Sequence, residues 1–177
     1  QISENNYYLI VGRFVPENNY ELMIKEFMSS DTKRDLVIVS NVEENKFYKE
    51  LEKKTCFSSD ARIKFIGSVY DHATLLYIRR NAYAYIHGHS AGGTNPSLLE
   101  ALASTKLNIL FNAIYNVEVG MMSSFYFSKQ KGDLKRQIEK VEKFDDKTIK
   151  KYENLAKDRI KKEYTWKLVV ESYKKIW

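Results

Sequence analysis

Ala82-Tyr83-Ala84-Tyr85-Ile86-His87-Gly88-His89-Ser90-Ala91-Gly92-Gly93-Thr94-Asn95-Pro96-Ser97-Leu98-Leu99-Glu100-Ala101-Leu102-Ala103 is the stretch that decides the fold. Ala82 to Ile86 is continuously apolar rather than alternating, which suits a strand buried on both faces of a parallel sheet. The turn from His87 to Asn95 is rich in glycine and ends at Pro96, a residue that the first turn of a helix tolerates. Leu98, Leu99, Leu102 and Ala103 then fall on one helical stripe. Strand, glycine turn and helix form half of a βαβ unit.

The same unit recurs on both sides of it. Upstream, Tyr7-Tyr8-Leu9-Ile10-Val11 ends at Gly12 as a first strand, and Tyr20, Met23 and Phe27 follow at helical spacing. Leu36 to Val39 is a second strand, followed by a polar helix holding Phe47, Tyr48 and Leu51. Ile63 to Ile66 ends at Gly67 as a third, and Asp71 can cap a helix containing Leu75, Leu76 and Ile78. Downstream, Leu107 to Phe111 and Phe125-Tyr126-Phe127 supply two more short strands. Beyond Lys129 the pattern predicts helix to the end, with Trp166, Val169, Val170, Tyr173 and Trp177 along one face. Parallel neighbours need helical crossovers, so the fold class is α/β, a doubly wound parallel sheet with flanking helices. Residues 1–177 read as one domain, with no fixed-period repeat and no Gly/Ser-rich linker.

Composition is that of a globular chain, 44% hydrophobic and 29% charged over 177 residues, which excludes a disordered or collagen-like protein. No apolar run approaches the ~20 residues that span a bilayer. Cys56 is the only cysteine, so an intrachain disulfide is excluded and a reducing, cytoplasmic setting is the expectation. The net charge of +6 raises the question of nucleic acid, but the lysines between Lys129 and Lys162 are interleaved with acids such as Asp133, Glu139, Glu153 and Asp158. Alternating signs mark a solvated helix face, so no nucleic-acid partner is expected. Contact of this basic face with the inner side of the cytoplasmic membrane is the alternative, weakened by the intervening acids.

In doubly wound sheets ligands bind beyond the carboxyl ends of the strands, which places the loops at Gly12, Gly67 and His87 along one edge. Gly92 and Gly93 remove side chains where a ligand can approach, and free amides at the start of a helix, together with its dipole, favour a phosphate. Arg13 projects a fork-shaped donor over the same edge, able to clamp a diphosphate or to pair with Glu17. Glu100, one turn into the helix, suits sugar or ribose hydroxyls, or caps the preceding turn. His87 and His89 raise a metal, but no third ligand lies nearby in sequence, and hydrogen bonding to a ligand or to loop backbone is the preferred role. No GxSxG, GxxxxGK[ST], GxGxxG or HExxH motif occurs. A response-regulator domain would need acids at the strand ends, and these are missing there. A non-catalytic α/β nucleotide-binding module remains the alternative.

Taken together, these stretches resemble the C-terminal domain of the retaining GT-B glycosyltransferases known as group 1. The resemblance rests on Val11-Gly12-Arg13-Phe14-Val15-Pro16-Glu17-Asn18-Asn19, on Ile63 to Tyr70 (the family's "FLG" segment), on Ser97 to Ala103 (its "SLLEAMA" helix) and on Tyr164-Thr165-Trp166 through Tyr173 (its closing "SWE...Y" helix). It implies a nucleotide-sugar donor whose diphosphate is held by Arg13, Asn18, Gly93, Thr94, Asn95 and Ser97. Glu100 would bind the ribose, Ile66, Gly67, Val69 and Tyr70 would flank the base, and His87, His89 and Gly92 would meet the donor sugar. It also implies no metal and no cofactor beyond the donor. An acceptor-binding N-terminal domain is expected before Gln1, with catalytic residues partly in it, so that the isolated domain would bind the donor without transferring it.

Two departures from the family pattern remove charge. Gly92 stands where a Glu commonly precedes the helix Glu, and Asn18 or Asn19 replaces a lysine that contacts phosphate. The wording HGHSxGGTNPSLLEA is similar to bacterial capsule and O-antigen rhamnosyltransferases. That resemblance implies L-rhamnose as the sugar and a lipid-linked saccharide as the acceptor.

Overall fold

In the computed structural model, which describes residues 2–42, 46–165, 168, 170, 171 and 174, the first strand accounts for the architecture. Along β1 (Tyr7–Val11), Tyr8 and Ile10 enter one hydrophobic cluster while Tyr7 and Leu9 enter another, so both faces are buried. With β2 (Asp35–Val39), β3 (Ile63–Phe65), β4 (Ala84–His87), β5 (Asn108–Phe111) and β6 (Phe125–Phe127) it forms a six-stranded sheet ordered β3-β2-β1-β4-β5-β6. Every neighbouring pair is parallel, the doubly wound α/β fold that the sequence predicts.

The helices are α1 (Tyr20–Met28), α2 (Lys46–Thr55), α3 (His72–Arg80), α4 (Pro96–Ser104), α5 (Ile114–Gly120), α6 (Asp133–Val141) and α7 (Asp146–Glu163). Helices α1, α2 and α6 bury Phe27, Leu51 and Ile138 with Tyr8 on one face. On the other, α4, α5 and α7 bury Leu102, Val119 and Ala156 with Leu9, and Leu75 and Ile78 of α3 pack at its margin. Helix α4 shows what sets such an element. Its N-cap, Asn95, accepts a hydrogen bond from the Ser97 amide, a contact of about 1 kcal/mol. Burying Leu98 and Leu102 contributes about 1.5–3 kcal/mol each, so packing of the apolar stripe, more than the cap, seats the helix.

Strand order reverses between β1 and β4. The chain leaves β1 toward α1 on one face and leaves β4 toward α4 on the other, so their carboxyl ends part and leave a crevice.

Three local expectations differ. His87 is the last residue of β4, not the first of the turn. The helical stretch predicted after Lys129 divides into α6 and α7: Phe144 turns in against Phe125 at 5.4 Å between ring centroids, and Asp145 caps α7 by accepting from the Thr148 amide at 2.9 Å. Helix α5 was not anticipated, because Ile114 and Val117 are exposed and give no inward stripe. Of the face expected at the C-terminus, Val170 is exposed, while Trp166, Val169, Tyr173 and Trp177 lie outside the described residues. Among the described residues no helix is long and apolar enough to cross a membrane.

Candidate functional site

The loops after β1 and β4 meet over the crevice and are held together by polar contacts. Phe14 is buried against Phe47 and Tyr20, with ring centroids 4.8 and 4.9 Å away, and this anchor leaves the adjacent Arg13 exposed. Asn18 donates to the Arg13 carbonyl at 2.7 Å, and its Oδ1 lies 2.9 Å from Nδ1 of His89. Asn19 donates to the Gly88 carbonyl at 2.7 Å, and the Ser90 amide donates to the Glu17 carbonyl at 3.1 Å. Glycine is required at position 88 by this approach: a Cβ there would sit 2.2 Å from the Asn18 carbonyl oxygen and 2.7 Å from Met23.

Below this bridge lies a cavity of about 200 Å³ lined by Arg13, Asn18, His87, His89, Asn95 and Ser97, with Tyr20 and Met23 behind them. His87 forms its floor at 4% exposure. Its Nδ1 lies 3.1 Å from the Tyr85 hydroxyl, and its Nε2 is buried with no partner. Burial, helped by the neighbouring His89, pushes the His87 pKa down to about 3, so the ring is neutral at physiological pH. Desolvation also lowers the His89 pKa; Arg13 adds to the shift and Glu17 opposes it. Neutral imidazole accepting or donating one hydrogen bond suits a hydroxyl better than a phosphate.

A second cleft of about 460 Å³ shares Val11, Gly12 and Arg13 with the first and continues past Ser40 and Asn41 to Val69 and Tyr70. Tyr70 is 90% exposed at its mouth, an uncovered aromatic face. Arg13 thus stands on the ridge between two compartments, and its guanidinium makes no ion pair among the described residues, with Glu17 or otherwise. An unpaired fork-shaped cation between a polar cavity and an aromatic-edged cleft is placed to bind an anion that bridges them.

The structure separates the other predicted residues. Ile66 packs into the hydrophobic cluster beneath the sheet edge and the Gly67 carbonyl accepts from the Ser40 amide at 3.1 Å, so neither lines the cleft. The start of α4 differs from the expectation of free amides. Pro96 has none, that of Ser97 is taken by Asn95, and that of Leu98 donates to the Asn95 carbonyl at 3.0 Å. The amides of Gly92, Gly93, Thr94 and Asn95 remain without a partner among the described residues. The amides left open to an anion therefore belong to the loop before the helix. Gly92 holds φ +106°, which side chains rarely adopt, so an acid at that position would be strained. Asn18, tied at both ends of its amide, braces the loop.

Glu100 does not line the first cavity; its Oε2 lies 2.7 Å from Nη1 of Arg79. Sequence reasoning passed over Arg79, although its position was a signal: it follows Leu75 by one helical turn, inside the apolar stripe of α3. Among the described residues no three His, Cys, Asp or Glu side chains converge as a metal site.

Comparison with known proteins bears on this geometry. The sequence profile described as "Glycosyl transferases group 1" matches residues 1–162. No curated protein sequence matches the chain. Among solved structures, a glycosyltransferase from Rickettsia africae superposes with a TM-score of 0.83 at 14% identity, covering 96% of this chain and 46% of that one. The C-terminal domain of a group 1 glycosyl transferase (LpcC) from Francisella tularensis gives 0.76 at 19%, covering 93% and 89%. HepE from Anabaena, solved in complex with UDP, gives 0.73 at 18%, covering 88% and 45%. The chain spans about half the length of the first and third of these.

Proposed function

Because the chain belongs to the group 1 glycosyl transferases, we propose that the β1–β4 crevice binds the nucleotide-sugar donor of a sugar-transfer reaction, as the C-terminal half of a two-domain enzyme. The observation that carries this reading is the unpaired Arg13 on the ridge between the two compartments. The diphosphate lies against Arg13 and the loop amides of Gly93, Thr94 and Asn95, the base in the cleft edged by Val69 and Tyr70, and the sugar over His87 and His89. Arg13 and the amides offset charge developing on the leaving diphosphate, the part often taken by a metal. The likeness to HepE, crystallised with UDP, supports a nucleotide in this crevice.

L-Rhamnose is the proposed sugar and dTDP the carrier. A 6-deoxy sugar lacks one hydroxyl, and the pocket lacks one acid, since Gly92 stands there in a backbone conformation that would strain a side chain. The acceptor, a lipid-linked saccharide in bacterial surface polysaccharide synthesis, meets the donor between this domain and a further, N-terminal one, and transfer proceeds with retention. On this reading the chain by itself binds donor without turnover.

Titration of the chain with dTDP-rhamnose, GDP-mannose, UDP-glucose and ATP, followed by amide NMR, tests the assignment. Saturable shifts at Arg13, Gly93, Thr94 and Tyr70, largest with dTDP-rhamnose, are expected. Shifts with another sugar nucleotide alone would replace the rhamnose assignment, and none with any of the four would overturn the donor site.

A further inference from the structure

His87 and His89 both line the first cavity, but only His89 has its ring hydrogen placed by what surrounds it. The Nδ2 of Asn18 lies 2.7 Å from the Arg13 carbonyl, which can only accept, so that end of the amide is the NH2 group and Oδ1 is the end turned to His89. An amide oxygen has no proton to give. At 2.9 Å from it, Nδ1 of His89 therefore carries the hydrogen. Burial lowers the pKa of this ring, with Arg13 adding to the shift and Glu17 opposing it, so the ring is neutral at physiological pH. A neutral imidazole with its hydrogen on Nδ1 has a bare lone pair on Nε2. The Tyr85 hydroxyl beside His87 can donate or accept, and fixes nothing of the kind there.

Glycine keeps the His89 nitrogen uncovered. Nε2 makes no hydrogen bond among the described residues, and it is not sealed in the interior as that of His87 is, since the His89 ring is half-buried at the cavity wall. A Cβ on Gly92 would stand 3.5 Å from Nε2 and, beyond its chain neighbours, would meet nothing else within 4 Å. The amides of Gly92 and Gly93 lie in the same loop without partners among the described residues. The wall thus offers a lone pair from the ring and hydrogens from the backbone. A hydroxyl answers both, because it donates and accepts at once. A phosphate or carboxylate oxygen has no proton for Nε2, and an ammonium has no lone pair for the amides.

We propose that Asn18 is a positioning residue that fixes His89 as an acceptor, and that His89 selects, at this point of the ligand, a neutral hydroxyl over a carboxylate or a carbonyl. That the hydroxyl belongs to the donor's sugar rests on the donor-site reading; the state of the ring does not.

Nitrogen-15 NMR of the imidazole rings at neutral pH, on the chain alone and with dTDP, dTDP-rhamnose, UDP and UDP-glucose, tests it. In the free protein His89 is expected with Nδ1 protonated and Nε2 bare. A sugar nucleotide should move Nε2 part of the way toward the protonated value, and the matching nucleotide without sugar should leave it in place. Asn18→Leu should populate both tautomers. Asn18→Asp keeps an acceptor for Nδ1 but loses the donor to the Arg13 carbonyl, and should keep Nδ1 protonated. A role confined to bracing the loop would disturb the ring alike in both variants and would overturn the part given to Asn18. In calorimetry, His89→Leu should weaken the sugar nucleotide about fivefold, the loss of one hydrogen bond, and leave the sugar-free nucleotide within about twofold. Should that variant fail to fold, the wild-type ring shifts decide. A protonated Nε2 in the free protein would sink the proposal, as would an Nε2 that does not respond to a sugar nucleotide that binds; in both cases nucleotide binding leaves the donor site standing. If none of the four ligands binds, the donor site falls, and the selection of a sugar hydroxyl with it.

Discussion

Along α6 and α7 charges are matched at one helical turn: Lys135 lies 3.5 Å from Glu139, Arg136 3.1 Å from Asp133 and Lys150 2.8 Å from Glu153, which also takes Lys157. At the β1–β4 crevice the opposite holds. Arg13 is unpaired among the described residues, His87 buries a ring nitrogen without a partner, and the amides from Gly92 to Asn95 are unspent. The first region carries ten basic and six acidic residues, a net +4, but its paired charges offset each other and each exposed pair is worth only about 0.3–0.5 kcal/mol. Few are in the second, yet there the polar groups are held in place by loop contacts and left open. A net charge of +6 is therefore a poor guide to where this chain binds anions.

The comparison breaks most severely if the two loops are forced apart. In Gly88→Ala the new Cβ would meet a backbone carbonyl that cannot rotate away, at 2.2 Å. A loss of about 3 kcal/mol or more of stability is expected, at or beyond the upper range for overpacking, with nucleotide binding lost alongside. Urea unfolding measures it. A variant within 1 kcal/mol of wild type would show that the bridge between the loops is slack.

Acid sharpens the contrast next. The folded pKa of His87 is about 3 against an ordinary 6.5, so between these values the unfolded chain binds a proton that the folded chain refuses. Stability is then full above pH 6.5 and falls as pH drops, approaching about 1.4 kcal/mol per pH unit from this one ring. His87→Gln should flatten the stability profile between about pH 6 and pH 4.5, by about 1–2 kcal/mol in total. In α7 the corresponding loss begins lower: burial alone would raise the Glu153 pKa, but hydrogen bonds from Lys150 and Lys157 hold it below the usual carboxylate value. An unchanged profile in His87→Gln would mean that the ring is not sealed from water.

The frame of the fold was legible because each buried strand is a continuous apolar run bounded by glycine or polar residues, and each early helix shows a stripe such as Tyr20, Met23 and Phe27. Where the stripe fails, so did the reading: α5 exposes Ile114 and Val117, and the break at Phe144 depends on a ring contact with Phe125 that no local pattern encodes. The two strand ends that flank the crevice were legible too, since β1 runs up to Gly12 and β4 ends at His87. Its internal wiring was not. Whether Asn18 faces a ligand or braces His89, and whether the Ser97 amide is free, are settled by partners close in space and by a cap formed two residues away. Arg79 was overlooked because a basic residue in an amphipathic helix is ordinarily read as surface, and its acid lies on a different helix.

The gentlest test compares one cation from each region. Arg13→Ala should weaken nucleoside diphosphate binding about tenfold or more, because a charge-assisted contact to phosphate contributes about 1.5–3 kcal/mol. Stability should stay within about 0.5 kcal/mol, since an exposed, unpaired side chain leaves nothing broken behind it. Lys150→Ala removes the same formal charge but from a pair, and should cost a few tenths of a kcal/mol in stability while leaving affinity within about twofold. Paired calorimetric and thermal measurements on the two variants separate local from bulk electrostatics. Equal loss of affinity in both would mean that the protein's overall field holds the nucleotide, and the distinction between a matched and an open region would lose its functional meaning. Loss confined to Arg13 would tie anion binding to the ridge between the two compartments, where strand order reverses and the fold leaves its polar groups unmatched.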